Sequence, residues 1–327
     1  MAMRTLIRFI ARPLRESWSR TTAIAAIMLC LTACLPNAPA TIKIGLVAPF
    51  SGRYREVGYQ AIHGVRLALS ELNAAGGAHG RPVALLALDG AGDGDTAIEQ
   101  ANRMLTDSAV VAVIGHWLDD GTSAAAPIYA RVGLPILATS AAPPAPENGG
   151  RTFFRLYPTT EVLATAMEET ATQYGLRAVC LCDVVTGAEF LAIGHSDNLS
   201  TAVVGGPLWS LREFARLAGN NADGSYFVTP GPHPSAVTEA SVFFANHRDA
   251  FPDEPVGWAS LHAYEATRVL LAALSTAPVP TATYVAEALT QTDFSGVSSH
   301  VSFDETGEWA TPQLSAYTWR DGHHAQP

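Results

Sequence analysis

An α/β fold with parallel sheets covered by helices on both faces is what this 327-residue chain predicts. Three observations carry that expectation. Short apolar runs alternate with longer segments whose apolar positions recur at spacings of three and four. The loops between them are short, which suits strand–helix–strand crossovers. The runs are apolar throughout instead of alternating, as strands buried on both faces should be.

Taken in order, residues 41–47 are the first strand of the folded body, after a tether at 34–41. A loop with Pro49, Gly52 and Gly58 leads into a helix. There Ile62, Val65, Leu69 and Leu72 are spaced 3, 4 and 3, and Gly76-Gly77 ends it. Residues 83–88 form a strand, 96–106 a helix capped by Asp95, 110–114 a strand, 122–131 a helix and 134–138 a strand. Pro143, Pro144 and Pro146 interrupt the pattern before a strand at 151–156. A helix at 161–174 and a strand at 178–183 open a second α/β set. Residues 189–193 read as another strand. Then come helix 211–218, strand 225–229, helices near 236–249, 259–275 and 283–290, and a last strand at 314–319.

The N-terminus has its own logic. Arg4, Arg8, Arg12, Arg15 and Arg20 precede an apolar stretch of 13 residues, 21–33. That is too short to span a bilayer and reads as a secretory signal. Leu31-Thr32-Ala33-Cys34 ends it and resembles the bacterial lipobox, which makes Cys34 the expected lipidation site and first mature residue. Removing residues 1–33 takes away five Arg and one Glu and leaves a net charge of −14. Nucleic acid and anionic membrane surfaces both require basic patches, so neither is an expected partner. No later apolar run approaches the ~18 residues of a spanning helix, so the expected tether is lipid and the expected place is outside the cytoplasmic membrane. About 290 mature residues suffice for two domains.

Cys180 and Cys182 remain. On a strand, i and i+2 share a face with Cα atoms near the upper limit for bridging. They are read as small buried thiols. No metal-ligand spacing, Walker motif, nucleophile elbow or other cofactor signature occurs. Gly90-Ala91-Gly92-Asp93-Gly94 lacks the dinucleotide spacing, and its Asp93 and Asp95 would repel a pyrophosphate. The chain is therefore not expected to be an enzyme.

Several segments, in order, resemble the type I periplasmic binding proteins of ABC importers, in the branched-chain amino acid and amide subgroup. Ile44-Gly45-Leu46-Val47-Ala48-Pro49-Phe50-Ser51-Gly52 is similar to the opening strand and loop. Glu71-Leu72-Asn73-Ala74-Ala75-Gly76-Gly77 is similar to the end of the first helix. Val113-Ile114-Gly115-His116, Ala126-Pro127-Ile128-Tyr129 and Gly133-Leu134-Pro135-Ile136-Leu137 follow. His262-Ala263-Tyr264-Glu265-Ala266 resembles a Tyr-Asp-Ala helix, and Phe294-Ser295-Gly296-Val297 and Val301-Ser302-Phe303-Asp304 resemble the closing segment. The resemblance implies two α/β lobes joined by three hinge strands, with a ligand closed between them. The lobes would be 42–157 plus 232–310, and 158–231 plus 311–327. It also implies a small amino acid-like or amide-like ligand and importer membrane subunits as partner.

By the same resemblance, ligand residues come from loops after first-lobe strands, here Ser51, Tyr54, Trp117, Asp119, Asp120, Thr122, Thr139 and Ser140. Where amino acid binders place a carboxylate-holding Ser, this chain has Asp119 followed by Asp120. Two carboxylates there would repel a ligand carboxylate and favour an ammonium or amidinium group. They could equally be helix-terminal acids. Thr122 or Ser123 could supply the hydroxyl. Trp117 is expected to be exposed near the cleft and able to stack on a ligand.

The second lobe departs from the family. Only residues 184–188 separate the two strands read at 178–183 and 189–193, too few for a parallel crossover. The expectation is a second lobe lacking one α/β unit, either with Gly187 in an antiparallel hairpin or with the first lobe pairing with a shrunken second sheet, and with Asp183 surviving at the edge of the lost ligand loop. The function expected is a lipid-anchored solute-binding protein of an ABC importer. The alternative is a sensory or regulatory lipoprotein acting on a protein partner, or a copy that no longer binds.

Overall fold

The computed structural model describes residues 41–139, 152–196, 203–231, 238–254 and 256–327. The elements begin with β1 (Ile42–Ala48), α1 (Arg55–Ala74), β2 (Val83–Asp89), α2 (Gly94–Met104), β3 (Val110–Gly115), α3 (Asp119–Ala130), β4 (Ile136–Ala138) and β5 (Phe153–Arg155). They continue with α4 (Thr160–Tyr174), β6 (Ala178–Cys180), α5 (Val184–Ser196), β7 (Val203–Gly205), α6 (Arg212–Ala218) and β8 (Tyr226–Pro230). Last come α7 (Thr238–Ala250), α8 (Trp258–Thr276), α9 (Ala282–Leu289), β9 (Asp293–Ser295), β10 (His300–Ser302), β11 (Leu314–Arg320) and β12 (His323–Ala325).

The first sheet is wholly parallel, in the order β2–β1–β3–β4–β5. Its central strand explains its own sequence. Ile42, Ile44, Leu46 and Ala48 of β1 enter one core with Val57, Ala61 and Val65 of α1. Val47, on the opposite face, meets a second core with Met104 of α2 and Tyr129 of α3. Alternate side chains of a strand point to opposite faces, so a strand with helices on both sides must be apolar throughout. Helix α8 lies along α1, and their contact is close enough to need Gly64. A Cβ there would fall 2.1 Å from the Ser260 carbonyl oxygen. Tyr264 Oη donates to Glu71 across the same pair at 2.6 Å.

The second sheet runs β12–β11–β8–β7–β6. β6, β7 and β8 are parallel to one another, and β11 joins β8 antiparallel. Trp209 and Phe214 stack beside it with ring centroids 4.5 Å apart. Burying each such ring contributes roughly 1.5–3 kcal/mol. After β5 the chain builds β6, β7 and β8 of the second sheet, packs α7 and α8 back against α1, and rejoins the second sheet with β11. At these passages buried Arg155 pairs with Glu308 at 3.0 Å, and its N–H donates to the Gly307 carbonyl at 2.7 Å. His262 donates to the Leu156 carbonyl.

Several expectations are overturned. Residues 189–193 are not a strand but lie inside α5. Val184, Ala188 and Leu191 are its buried apolar side chains, spaced four and three, and this helical period was masked by the continuous run Phe190-Leu191-Ala192-Ile193. Gly187 makes no hairpin. It sits in α5 against Trp209, where a Cβ would come 2.5 Å from the indole. β6, α5 and β7 thus form a complete parallel crossover. Cys180 and Cys182 are not buried thiols but a disulfide with Cα atoms 5.3 Å apart. A pleated strand would hold them about 6.6 Å apart, but β6 ends at Cys180 and the chain bends there. Finally, α2 is capped by Asp93, not Asp95: the Asp93 carboxylate accepts from Thr96 N at 2.8 Å.

Candidate functional site

The carboxyl ends of the first sheet's strands carry the site, where loops and helix N-termini meet. At the end of β3, Gly115 turns the chain with φ +111°, and a Cβ would fall 2.2 Å from the Val47 carbonyl oxygen. Only glycine fits such a turn. His116 follows, fully enclosed, with Nε2 3.1 Å from Tyr129 Oη, and burial pushes it down to about 3. It is a neutral structural ring. Thr122 is also fully buried, and its hydroxyl donates to the His116 carbonyl at 2.7 Å. That hydroxyl braces the loop from within.

Trp117 is not exposed as expected; it is only 1% accessible. Its ring packs beneath Trp258 at the start of α8, with centroids 6.4 Å apart, and Tyr157 stands 6.3 Å from Trp258. Neither indole N–H, of Trp117 or Trp258, meets an acceptor among the described residues. Asp119 and Asp120 are exposed in the first turn of α3. The cap position belongs to Leu118, with no side-chain cap bond.

These groups line a cavity of about 340 Å³ between the two sheets' ends. Tyr54, Trp117, Asp119, Asp120, Tyr157 and Trp258 form one wall. Leu163, Leu181, Asp183, Pro207 and Leu208 form the other. Asp183 has a second occupation, because it caps α5 by accepting from Val185 N at 2.7 Å and Thr186 N at 3.2 Å. Burial would raise its carboxyl, but these bonds and the Thr186 hydroxyl hold it below the usual range. Burial pushes the Tyr157 phenol up, and the nearby Asp119 charge pushes it further. Tyr54 is raised by burial and then by Asp183, with Arg53 opposing.

The remaining expected residues lie elsewhere. Ser51 is turned to Asp89, whose carboxylate also accepts from Phe50 N at 2.8 Å and Ala91 N at 2.9 Å. Thr139 is fully buried and does not line the cavity. Ser140 and Cys34 lie outside the described residues. Sequence reading missed Tyr157, Trp258, Leu181, Pro207 and Leu208. Tyr157 follows a strand of the first sheet, so its position carried a signal. Trp258 sits at a helix start distant in sequence and carried none.

Beside this cavity the two lobes touch through charge. Arg212 N donates to Glu56 Oε2 at 2.9 Å, and its Nε lies 3.5 Å from Oε1. Burial raises the Glu56 carboxyl and Arg212 offsets that.

Comparison with known proteins adds the following. The sequence pattern of the periplasmic binding protein family matches residues 41–189 and 188–323. A leucine-, isoleucine-, valine-, threonine-, and alanine-binding protein of Pseudomonas aeruginosa is 24% identical, over 90% of this chain and 94% of that protein. An amino acid binding protein of the same organism is 31% identical, over 37% of this chain and 32% of its own length, so the chain spans about a third of that relative. Among solved structures, the branched-chain amino acid transporter substrate binding protein LivJ of Streptococcus pneumoniae, in complex with isoleucine, superposes with TM-score 0.75 at 20% identity. That superposition covers 87% of this chain and 97% of LivJ. A possible leucine/isoleucine/valine-binding protein of Rhodopirellula baltica gives 0.77 at 15% identity, covering 87% and 95%. These likenesses show the two-lobed fold.

Proposed function

Because the chain belongs to the periplasmic binding protein family, we propose that it captures a small polar solute between its lobes and delivers it to the membrane subunits of an ABC importer. The solute class is an amino acid, an amide or a related small compound. The observation that carries this reading is the cavity of about 340 Å³ walled by both lobes, with aromatic side chains and two carboxylates on one side and apolar side chains with Asp183 on the other. A cleft of mostly apolar lining with a few placed polar groups is the usual form of a small-molecule site. Contacts available only when both lobes meet the ligand drive closure. The complete β6–α5–β7 crossover weighs against a copy that no longer binds.

Two finer points belong to the same reading. Cys34 carries lipid and holds the protein outside the cytoplasmic membrane; the basic leader and Leu-Thr-Ala-Cys support this. No described helix is long and apolar enough to cross a membrane. The second lobe has lost a segment that relatives carry. Its support is the family match, which breaks into two stretches meeting at residues 188 and 189, inside α5.

Isothermal titration calorimetry of the purified protein against amino acids, amides, amines and small carboxylates tests the function. Saturable one-to-one binding of one class is expected. Silence across the whole panel, from protein that melts cooperatively, would refute it. For the anchor, Cys34→Ser is expected to move the protein from the membrane fraction to the soluble extract.

A further inference from the structure

We propose that the Cys180–Cys182 disulfide is a positioning element of the cleft. It holds Leu181 and Asp183 in the second-lobe wall, and its reduction by a dithiol loosens that wall and lowers the affinity for solute without unfolding the protein. The effect on affinity rests on reading the cleft as the solute site. Three observations carry the proposal.

The first is where the bond lies. β6 pairs with β7 at Ala178–Val203, Val179–Val204 and Cys180–Gly205, and stops there. In an extended strand, residues i and i+2 lie about 6.6 Å apart. The bond holds the Cα atoms of Cys180 and Cys182 at 5.3 Å, so it closes the chain into a bend about Leu181. The three residues that follow Cys180, namely Leu181, Cys182 and Asp183, all line the cavity. Leu181 lies over Gly206, where a Cβ would come 3.1 Å from Leu181 Cδ1. Asp183 caps α5 and is felt across the cleft, because the Tyr54 phenol is raised by burial and then by the Asp183 charge.

The second is what the bond does not do. A disulfide restrains the unfolded chain more as the loop that it closes grows longer. This one encloses a single residue, Leu181. Both cysteines are only half-buried. The core beside the second sheet is made by Trp209, Phe214 and Phe227, each no more than 1% exposed. Opening the bond therefore removes a local restraint and leaves that core in place.

The third is access. Cys182 lines the cavity and Cys180 does not, so Cys182 is the sulfur that a small thiol meets. One thiolate of a dithiol attacks Cys182 Sγ, the S–S bond breaks, and Cys180 leaves as a thiolate. The second thiol of the reductant then displaces Cys182 from the mixed disulfide. Two electrons pass to the protein sulfurs, which take up the two protons that the reductant gives up. The reductant ends as a cyclic disulfide. A solute in the cavity lies against Cys182 and shields it. By linkage, a bond that tightens solute binding is itself harder to reduce when solute is bound.

The test compares three forms of the purified protein: oxidised, reduced with dithiothreitol, and the double variant Cys180→Ser with Cys182→Ser. Complete reduction is checked by thiol labelling at both positions. Amide hydrogen exchange across residues 181–186, which include the Val185 and Thr186 N–H groups held by Asp183, is expected to quicken at least about tenfold in the second and third forms. Exchange in β1 and α8 should stay unchanged, and the melting temperature should move by less than about 4 °C. Calorimetric titration then uses leucine, leucinamide, putrescine and succinate. The compound of these that binds the oxidised form is expected to bind about five- to tenfold more weakly to the other two. Unchanged exchange at 181–186 overturns the proposal. So does faster exchange throughout the protein with a collapsed melt, which would make the bond a staple of the whole fold. Equal affinity in all three forms overturns it too and leaves the solute-binding reading intact. Silence of all four compounds and of the wider panel against the oxidised form overturns the solute-binding reading and the effect on affinity together.

Discussion

Asp183 shows how one side chain can be claimed by two roles. It lines the cavity, yet its Oδ1 accepts from Val185 N at 2.7 Å and its Oδ2 from the Thr186 hydroxyl at 2.9 Å. Removing an N-cap costs about 1 kcal/mol, up to about 2. Asp183→Ala is therefore expected to lower the unfolding midpoint in urea, while Asp183→Ser, which keeps a capping oxygen, recovers most of the loss. If ligand affinity falls for both variants without any change in stability, the cap is not its main role. Trp117 makes the complementary point. An aromatic residue beside a strand end can be read from sequence, but its burial cannot. That depends on Trp258, which lies 141 positions further along the chain. Asp119 and Asp120 were legible because helix-start acids are local facts. The Thr122 hydroxyl is used by a carbonyl that only the folded turn brings within 2.7 Å, which the sequence could not show.

Elements were legible where period and length agreed. In α1, Val65 and Leu69 are buried at the expected spacing, and β1 needs apolar residues on both faces. The failure at α5 has a definite cause. Residues 190–193 are apolar without a break, and a short run of that kind does not distinguish strand from helix. The deciding signals were Asp183 as a cap and the buried spacing Val184, Ala188, Leu191. Those same elements make the disulfide possible, since β6 stops at Cys180 to let α5 begin. Helix contacts supply a sharper test. Gly64 of α1 admits the Ser260 carbonyl of α8, and a methyl would meet it at 2.1 Å. Helix propensity favours Ala over Gly by about 1 kcal/mol, whereas overpacking a tight contact costs typically 1–3 kcal/mol. Backbone cannot yield like a flexible side chain, so the steric term wins. Gly64→Ala should lower stability by about 1–2 kcal/mol net, read from chemical denaturation. An unchanged or raised midpoint would mean that α1 and α8 can part without loss.

At the scale of the whole molecule, the protein is held by cores that shelter neutral histidines. His247 is fully buried between Phe243 and Phe251, with neither ring nitrogen meeting a partner among the described residues, and burial pushes it down to about 4. His262 is likewise pushed down by burial to about 4, opposed by its bond to the Leu156 carbonyl. His116 falls to about 3. The unfolded chain takes up these protons near pH 6.5 and the folded chain does not, so the unfolded state binds more protons between those values. Stability then rises with pH across the window. It should be complete above about pH 7 and decline progressively as pH falls from about 6.5 toward 4. Carboxylates held below their usual range, such as Asp89 and Asp304, act in a different window, below about pH 4. The two contributions are therefore separable in one titration. His247→Phe replaces a buried ring that has no hydrogen-bond partner among the described residues with one suited to its aromatic neighbours. This variant should match the parent at pH 7 and exceed it at pH 5, with a visibly shallower loss of melting temperature between them. A slope identical to the parent's would remove His247 from the account. A variant destabilised equally at both pH values would show that its contribution is packing alone.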